Sequence, residues 1–224
     1  MSPQVLCILG SLILFFGCSQ EGSTADAPLD VDVPAQSVDT SDAEPATKKT
    51  QTPSIPDAQT FEHEGVTAQI ANWEQLQEFI GTQNGKIVVV DLWSSWCEPC
   101  LREFPHLVAL QKKYPEKIVC VSFNLNYDGS KDSPPESGSE ELMEFYTKQN
   151  AKIVNLISST PDEDLYKKLD LASIPAAYVY GTDGKLLKRF DNETQAYGEE
   201  GFTYEAHITP MIDELLVETK QPEK

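Results

Sequence analysis

Ile87, Val88, Val89 and Val90 form an unbroken β-branched run. A strand with one wet face alternates apolar and polar residues. A strand without alternation must be covered on both faces, as central strands of parallel sheets are. Ile118 to Phe123 repeats the pattern. Between these runs the apolar spacing turns helical, through Leu101, Phe104, Leu107 and Leu110 in a segment from Cys97 to Tyr114. Pro105 lies inside that segment and is expected to kink it.

The alternation continues along the chain. Trp73 to Gly81 has helical spacing through Trp73, Leu76 and Phe79/Ile80. Glu140 to Asn150 reads as an amphipathic helix, Ile153 to Ile157 as a strand and Asp162 to Leu169 as a short helix. Ala176 to Tyr180 and Lys185 to Phe190 are strands joined by the turn Gly181-Thr182-Asp183-Gly184. Residues 127–139 are a polar loop. A last helix falls within 203–218, where Pro210 either begins its regular part behind a Thr209 cap or kinks it. The order β-α-β-α-β-α-β-β-α, with room for a small extra element in front, is that of a three-layer α/β/α sandwich with a central mixed sheet.

The front of the chain differs in kind. Val5 to Phe16 is uncharged and is followed by Gly17 and Cys18. The run fits the apolar core of a secretory signal and falls short of the ~18 residues needed to span a bilayer. A cysteine directly after the run and a small residue resembles the lipobox of bacterial lipoproteins, which implies lipidation at Cys18. A plain signal cut elsewhere and an uncleaved weak anchor are the alternatives. Residues 19–60 lack aromatic residues and are rich in Ser, Thr, Ala, Pro, Asp and Gln. Such a segment buries too little apolar surface to offset chain entropy, and is expected to be a disordered acidic tether with a span of roughly 35 Å. The folded domain is expected over 61–224.

The chain carries 36 acidic and 17 basic residues, a net charge of −19. A surface of that sign opposes nucleic-acid binding and electrostatic docking on anionic lipid. Five cysteines in 224 residues are too few for a disulfide-stapled scaffold.

The chemistry is expected where the first buried strand ends. Cys97-Glu98-Pro99-Cys100 follows that strand and opens a helix. Two cysteines three apart on a first helical turn can close a small disulfide. The helix N-terminus presents free N–H groups that favour a thiolate at Cys97. That thiolate can attack a partner's disulfide, and Cys100 can resolve the mixed species. Pro99 suits a first turn, where its missing N–H has no helical partner. Asp91 is an acid in an otherwise apolar strand; burial raises a carboxyl's pKa, so it can take the Cys100 proton directly or through a water. Ile174-Pro175, if cis, turns a second loop toward the dithiol. Trp93 and Trp96 are placed to wall the site.

C-x-x-C is also half of a zinc site. Only Cys120, His63, His106 and His207 are available as further ligands and no second paired motif exists, so no metal is assigned. Cys120, inside an apolar strand, reads as a small buried hydrophobe.

VVVDLWSSWCEPC, the proline five residues after Cys100, and SIPAAYVYGTDGKLLKRF together resemble the thioredoxin superfamily. The export signal, the long segment 127–150 and WCEPCLREFP resemble its TlpA/ResA-like branch of tethered extracytoplasmic thiol–disulfide reductases. The resemblance covers roughly residues 65–218. It implies a buried acid at Asp91, a nucleophile at Cys97, a resolving cysteine at Cys100 and a cis-proline at Pro175. It also implies protein clients with disulfides, apocytochrome c among them, and no cofactor. Members acting in cytochrome c maturation share the Glu-Pro dipeptide and an acid three residues after the second cysteine, here Glu98 and Glu103. These acids are candidates for tuning the dithiol. Negative surroundings disfavour the thiolate, and Arg102 is the only nearby cation on the helix, so a reductase is expected. Ile174 before the proline also matches thioredoxin better than the oxidant branch. Recharging in an oxidising compartment calls for a membrane thiol electron donor. A disulfide oxidase or isomerase of the same fold and a non-catalytic metallochaperone or client-binding module are the competing readings.

Overall fold

In the computed structural model, residues 52–218 are described. The segment 1–18 expected to direct export, with Cys18, the part of the expected tether up to residue 51, and the last six residues lie outside them. Seven strands make one mixed sheet: β1 Thr60–His63, β2 Val66–Ala71, β3 Ile87–Trp93, β4 Ile118–Asn124, β5 Val154–Ser158, β6 Ala176–Tyr180 and β7 Leu186–Phe190. Their order is β1-β2-β5-β4-β3-β6-β7. The pairs β2/β5, β5/β4 and β4/β3 are parallel; β1/β2, β3/β6 and β6/β7 are antiparallel. Every residue of β3 and β4 is buried, as their unbroken apolar runs require.

Five helices cover the sheet: α1 Trp73–Thr82, α2 Glu98–Lys113, α3 Ser139–Lys148, α4 Asp162–Leu169 and α5 Thr209–Glu218. Two cores result. One joins α2, α3 and the C-terminal segment to Ile87, Val89 and Trp93 of β3, through Phe104, Leu107, Tyr146, Tyr204 and Ile212. The other joins α1 and α4 to Val88, Val90 and Leu92, through Trp73, Leu76, Phe79 and Leu165. The strand period of two assigns successive β3 residues to opposite cores. This is the expected three-layer sandwich.

Three features depart from or complete the sequence reading. The front element is a hairpin, β1–β2, whose turn places Glu64 (φ 49°) and Gly65 (φ 73°) in the left-handed region. The folded part also begins before residue 61. Ile55 is buried, its N–H donates to Gln69 Oε1 at 2.8 Å, and Gln69 Nε2 donates to the Ile55 carbonyl at 2.9 Å. Ile55, expected in the tether, is thus held beside β2 by the Gln69 side chain, and the Ile70 N–H donates to the Gln59 carbonyl at 3.0 Å. At the other end, the chain enters α5 through a widened π-helical turn, Tyr204–Ile208. Pro210 lies in the first turn of α5. It has no N–H for the Ala206 carbonyl and its ring crowds that position, which favours a wider turn just before it. α2 passes through Pro105 as one helical run, with Pro105 on its exposed side.

Candidate active site

β3 ends at Trp93 and α2 begins at Glu98, so the four residues between them present Cys97 at the helix N-cap (φ −93°, ψ 97°). The Cys97 sulfur accepts the Cys100 N–H at 3.3 Å. The two cysteines are joined as a disulfide with Cα atoms 5.2 Å apart. Pro99 sits in the first turn and Glu98 is exposed there. Cys97 is the less buried of the pair, 5 % exposed against 1 % for Cys100.

The loop beneath is fixed by a neighbouring strand end. The Ser95 N–H donates to Asn126 Oδ1 at 2.9 Å, and Asn126 Nδ2 donates to Ser95 Oγ at 2.7 Å. Asn124 Nδ2 donates to the same Asn126 oxygen at 3.1 Å. The Leu125 N–H donates to the Trp93 carbonyl at 2.8 Å. These asparagines escaped the sequence reading because their partners come from another strand.

The Ile174–Pro175 peptide is cis; Pro175 is buried and Ile174 half-buried. The two tryptophans part company. Trp96 is 64 % exposed beside Cys97. Trp93 is not a site wall: it is wholly buried, its ring lies against Phe104, Phe145 and Tyr146, and its N–H donates to Ser122 Oγ at 2.7 Å. Position explains this. Trp93 is still in the strand and points into the α2-side core, whereas Trp96 is in the loop beyond it.

Asp91 lies in the same core as the cysteines. Burial is the main influence on its carboxyl, pushing it up from an ordinary 3.8 to about 7; the Tyr204 hydrogen bond opposes this and the charge of Glu103 adds to it. The Tyr204 hydroxyl donates to Asp91 Oδ1 at 2.8 Å. Glu103, one turn beyond Cys100, is buried as well, and its Oε2 accepts the Tyr204 N–H at 3.0 Å. Arg102 Nε stands 3.8 Å from the other Glu103 oxygen. Asp91 and Glu103 are therefore joined through one residue from the far end of the chain. A buried phenol needs a polar partner, and the spacing of Tyr204, Ile208 and Ile212 along one helical face was the signal that could have exposed it. Cys120 is buried on β4, and burial together with the Asp91 charge pushes its thiol up. No group of three or more His, Cys, Asp or Glu side chains suited to hold a metal ion occurs among the described residues.

A disulfide-forming cysteine pair at a strand–helix junction, in a fold that also buries an acid and holds a cis-proline, has the parts of a thioredoxin-type site, and a family model described as Thioredoxin matches residues 66–170. A thioredoxin H-type from Fagopyrum esculentum is 31 % identical over 85 residues, 38 % of this chain and 71 % of that protein. The chain belongs to the thioredoxin family. It is also similar to the thiol:disulfide interchange protein HelX of Rhodobacter capsulatus, 28 % identical over 137 residues, 61 % of this chain and 65 % of HelX. With the thiol-disulfide oxidoreductase ResA of Bacillus cereus it shares 26 % identity over 128 residues, 56 % of this chain and 65 % of ResA. It thus spans slightly less than two thirds of the length of these last two relatives.

Proposed function

We propose that this protein is a thiol–disulfide reductase that acts on protein disulfides. The observation that carries the reading is the Cys97–Cys100 pair, with Cys97 at the N-cap of α2 and the Cys100 amide directed at its sulfur. In the reduced state the Cys97 thiolate attacks one sulfur of a client disulfide. A mixed disulfide forms and the second client sulfur leaves as a thiolate. Cys100 then gives its proton to Asp91 and attacks the Cys97 sulfur, so that the first client sulfur also leaves as a thiolate; Asp91 and solvent return the two protons that complete the client dithiol. The protein is left with the Cys97–Cys100 bond, and a thiol donor returns the two electrons. In this reading the cis Ile174–Pro175 turn serves as the second wall of the dithiol site and Trp96 offers an aromatic contact to the client, while Glu98 and Glu103 hold the poise toward the reducing end.

The finer reading extends to place and client. The segment 1–18 exports the chain, Cys18 carries a lipid, and residues up to about 51 tether the domain at the cell envelope. A membrane thiol carrier recharges it, and apocytochrome c is one client. The HelX and ResA likeness supports this reading.

The test is an insulin-type reduction assay. Wild type is expected to be active and Cys97→Ser inactive, with Cys100→Ser trapping clients from envelope extracts as mixed disulfides. A variant lacking both cysteines that keeps full client affinity and function would favour a binding module instead. A reduction potential near −270 mV, to order of magnitude, is expected; one above roughly −150 mV would make the protein an oxidase or isomerase.

A further inference from the structure

Tyr204 is fully buried and uses two different donors on two different carboxylates. Its phenol reaches Asp91 in the sheet at 2.8 Å, and its backbone N–H reaches Glu103 in α2 at 3.0 Å. The acids belong to separate elements, and Tyr204 hydrogen-bonds to both. Tyr204 is itself firmly placed. Thr203 Oγ1 accepts the Ala206 N–H at 3.1 Å, and the Thr203 N–H donates to His207 Nδ1 at 3.0 Å. Just upstream, Asn192 Oδ1 accepts the Phe202 N–H at 3.2 Å. Gly201 (φ +75°) packs so closely there that a Cβ would stand 2.6 Å from the Asn192 amide. Tyr204, the first residue of the π-helical turn, is thus flanked by residues fixed on both sides of it.

We propose that Tyr204 is a positioning residue for the dithiol chemistry: it clamps the two buried carboxylates of β3 and α2, the elements on either side of the Cys97 turn, and sets the pH at which Asp91 is ready to accept a proton. The inference rests on the reductase reading and deepens it. A neutral phenol donating to Asp91 stabilises the carboxylate over the acid. Without that donor only burial and the like charge of Glu103 act on Asp91, and both favour the protonated form. The other titratable groups facing Asp91 are Cys120 on β4, Tyr146 on α3 and the cysteine pair at the start of α2. Burial pushes up both Cys120 and Tyr146, so neither supplies a charge that could replace the phenol at neutral pH.

The variant is Tyr204→Phe, which removes one hydroxyl and keeps the ring and the amide. Two quantities are measured in wild type and variant: the titration of the Asp91 carboxyl carbon by NMR in the oxidised protein, and the pH dependence of disulfide reduction. Both inflections are expected to rise by about one pH unit, the size of one lost hydrogen bond to a charged group. At pH 7 the variant is then roughly fivefold slower, and its rate converges on wild type above about pH 9. Glu103→Gln should move both inflections the opposite way, since it removes a like charge. An unmoved carbon inflection in Tyr204→Phe overturns the clamp. A carbon inflection that moves while the rate profile stays fixed overturns the role in chemistry. A wild-type protein with no reductase activity at all would instead fail the parent reading, a result distinct from either.

Discussion

Replacing Asp91 by Asn isolates the energetic consequence of placing an acid in this core. The substitution keeps the shape and leaves an amide oxygen for the Tyr204 hydroxyl, which donates to Asp91 Oδ1 at 2.8 Å. In the fold the Asp91 carboxyl titrates at about 7 against an ordinary 3.8, chiefly because burial penalises its charged form. A folded-state value raised in this way makes the native state bind the extra proton. Its stabilising effect is complete below the unfolded value and is lost as pH rises through the folded one. At about 1.36 kcal/mol per pH unit, the difference of roughly three units corresponds to about 4 kcal/mol. Urea unfolding of the oxidised proteins from pH 4 to 8.5 reads it directly, because every other titrating group is common to both. Wild type and Asp91→Asn should be nearly equal in stability at pH 4. The variant should gain progressively, with most of the divergence between pH 4 and 7, and lead by about 4 kcal/mol at pH 8.5. Parallel stability curves over that range would refute the claim that Asp91 is buried as a neutral acid. The same variant should lose reductase activity near neutral pH while it gains stability, since an amide cannot accept the Cys100 proton.

Two further outcomes probe the frame around the site. Trp93→Ala should destabilise by about 3–5 kcal/mol in denaturant unfolding, because it removes a wholly buried ring packed on Phe104 and Tyr146 and takes the indole N–H from the Ser122 hydroxyl, leaving that hydroxyl only its contact with Tyr146; a loss below 1 kcal/mol would place the ring outside the core. Gln69→Ala should cost about 1–3 kcal/mol and open residues 52–58 to limited proteolysis, since both backbone groups of Ile55 lose their partner.

What could be read from the chain follows from how local each signal is. β3 and β4 were legible because coverage on both faces leaves an unbroken apolar run, and the helices between them because one apolar face repeats every turn. Cys97 and Cys100 announced themselves through a spacing that a single helical turn satisfies, and Asp91 through being an acid among Val90 and Leu92. The hairpin β1–β2 was hidden: β1 is nearly all exposed, its turn uses Glu64 where Asn or Gly is usual, and β2 buries Gln69. Residues 52–60 look like linker because Ile55 is a lone apolar residue in a polar stretch, and its binding to Gln69 spans fourteen positions. Tyr204 was out of reach for the same reason on a larger scale, as its two partners lie 113 and 101 residues earlier. Trp93 and Trp96 look alike in the sequence, yet a step of three positions along the chain separates a strand residue from a loop residue.

That long separation also orders events during synthesis. Cysteines three apart can find each other as soon as their own short stretch is available, with no help from the remainder of the polypeptide. The phenol that steadies the acids beneath them is made a hundred residues later. A chain delivered amino end first therefore has its bond-forming sulfurs in hand long before its proton acceptor is set, and any truncation that removes the final segment would leave a centre able to oxidise yet poorly equipped to turn over.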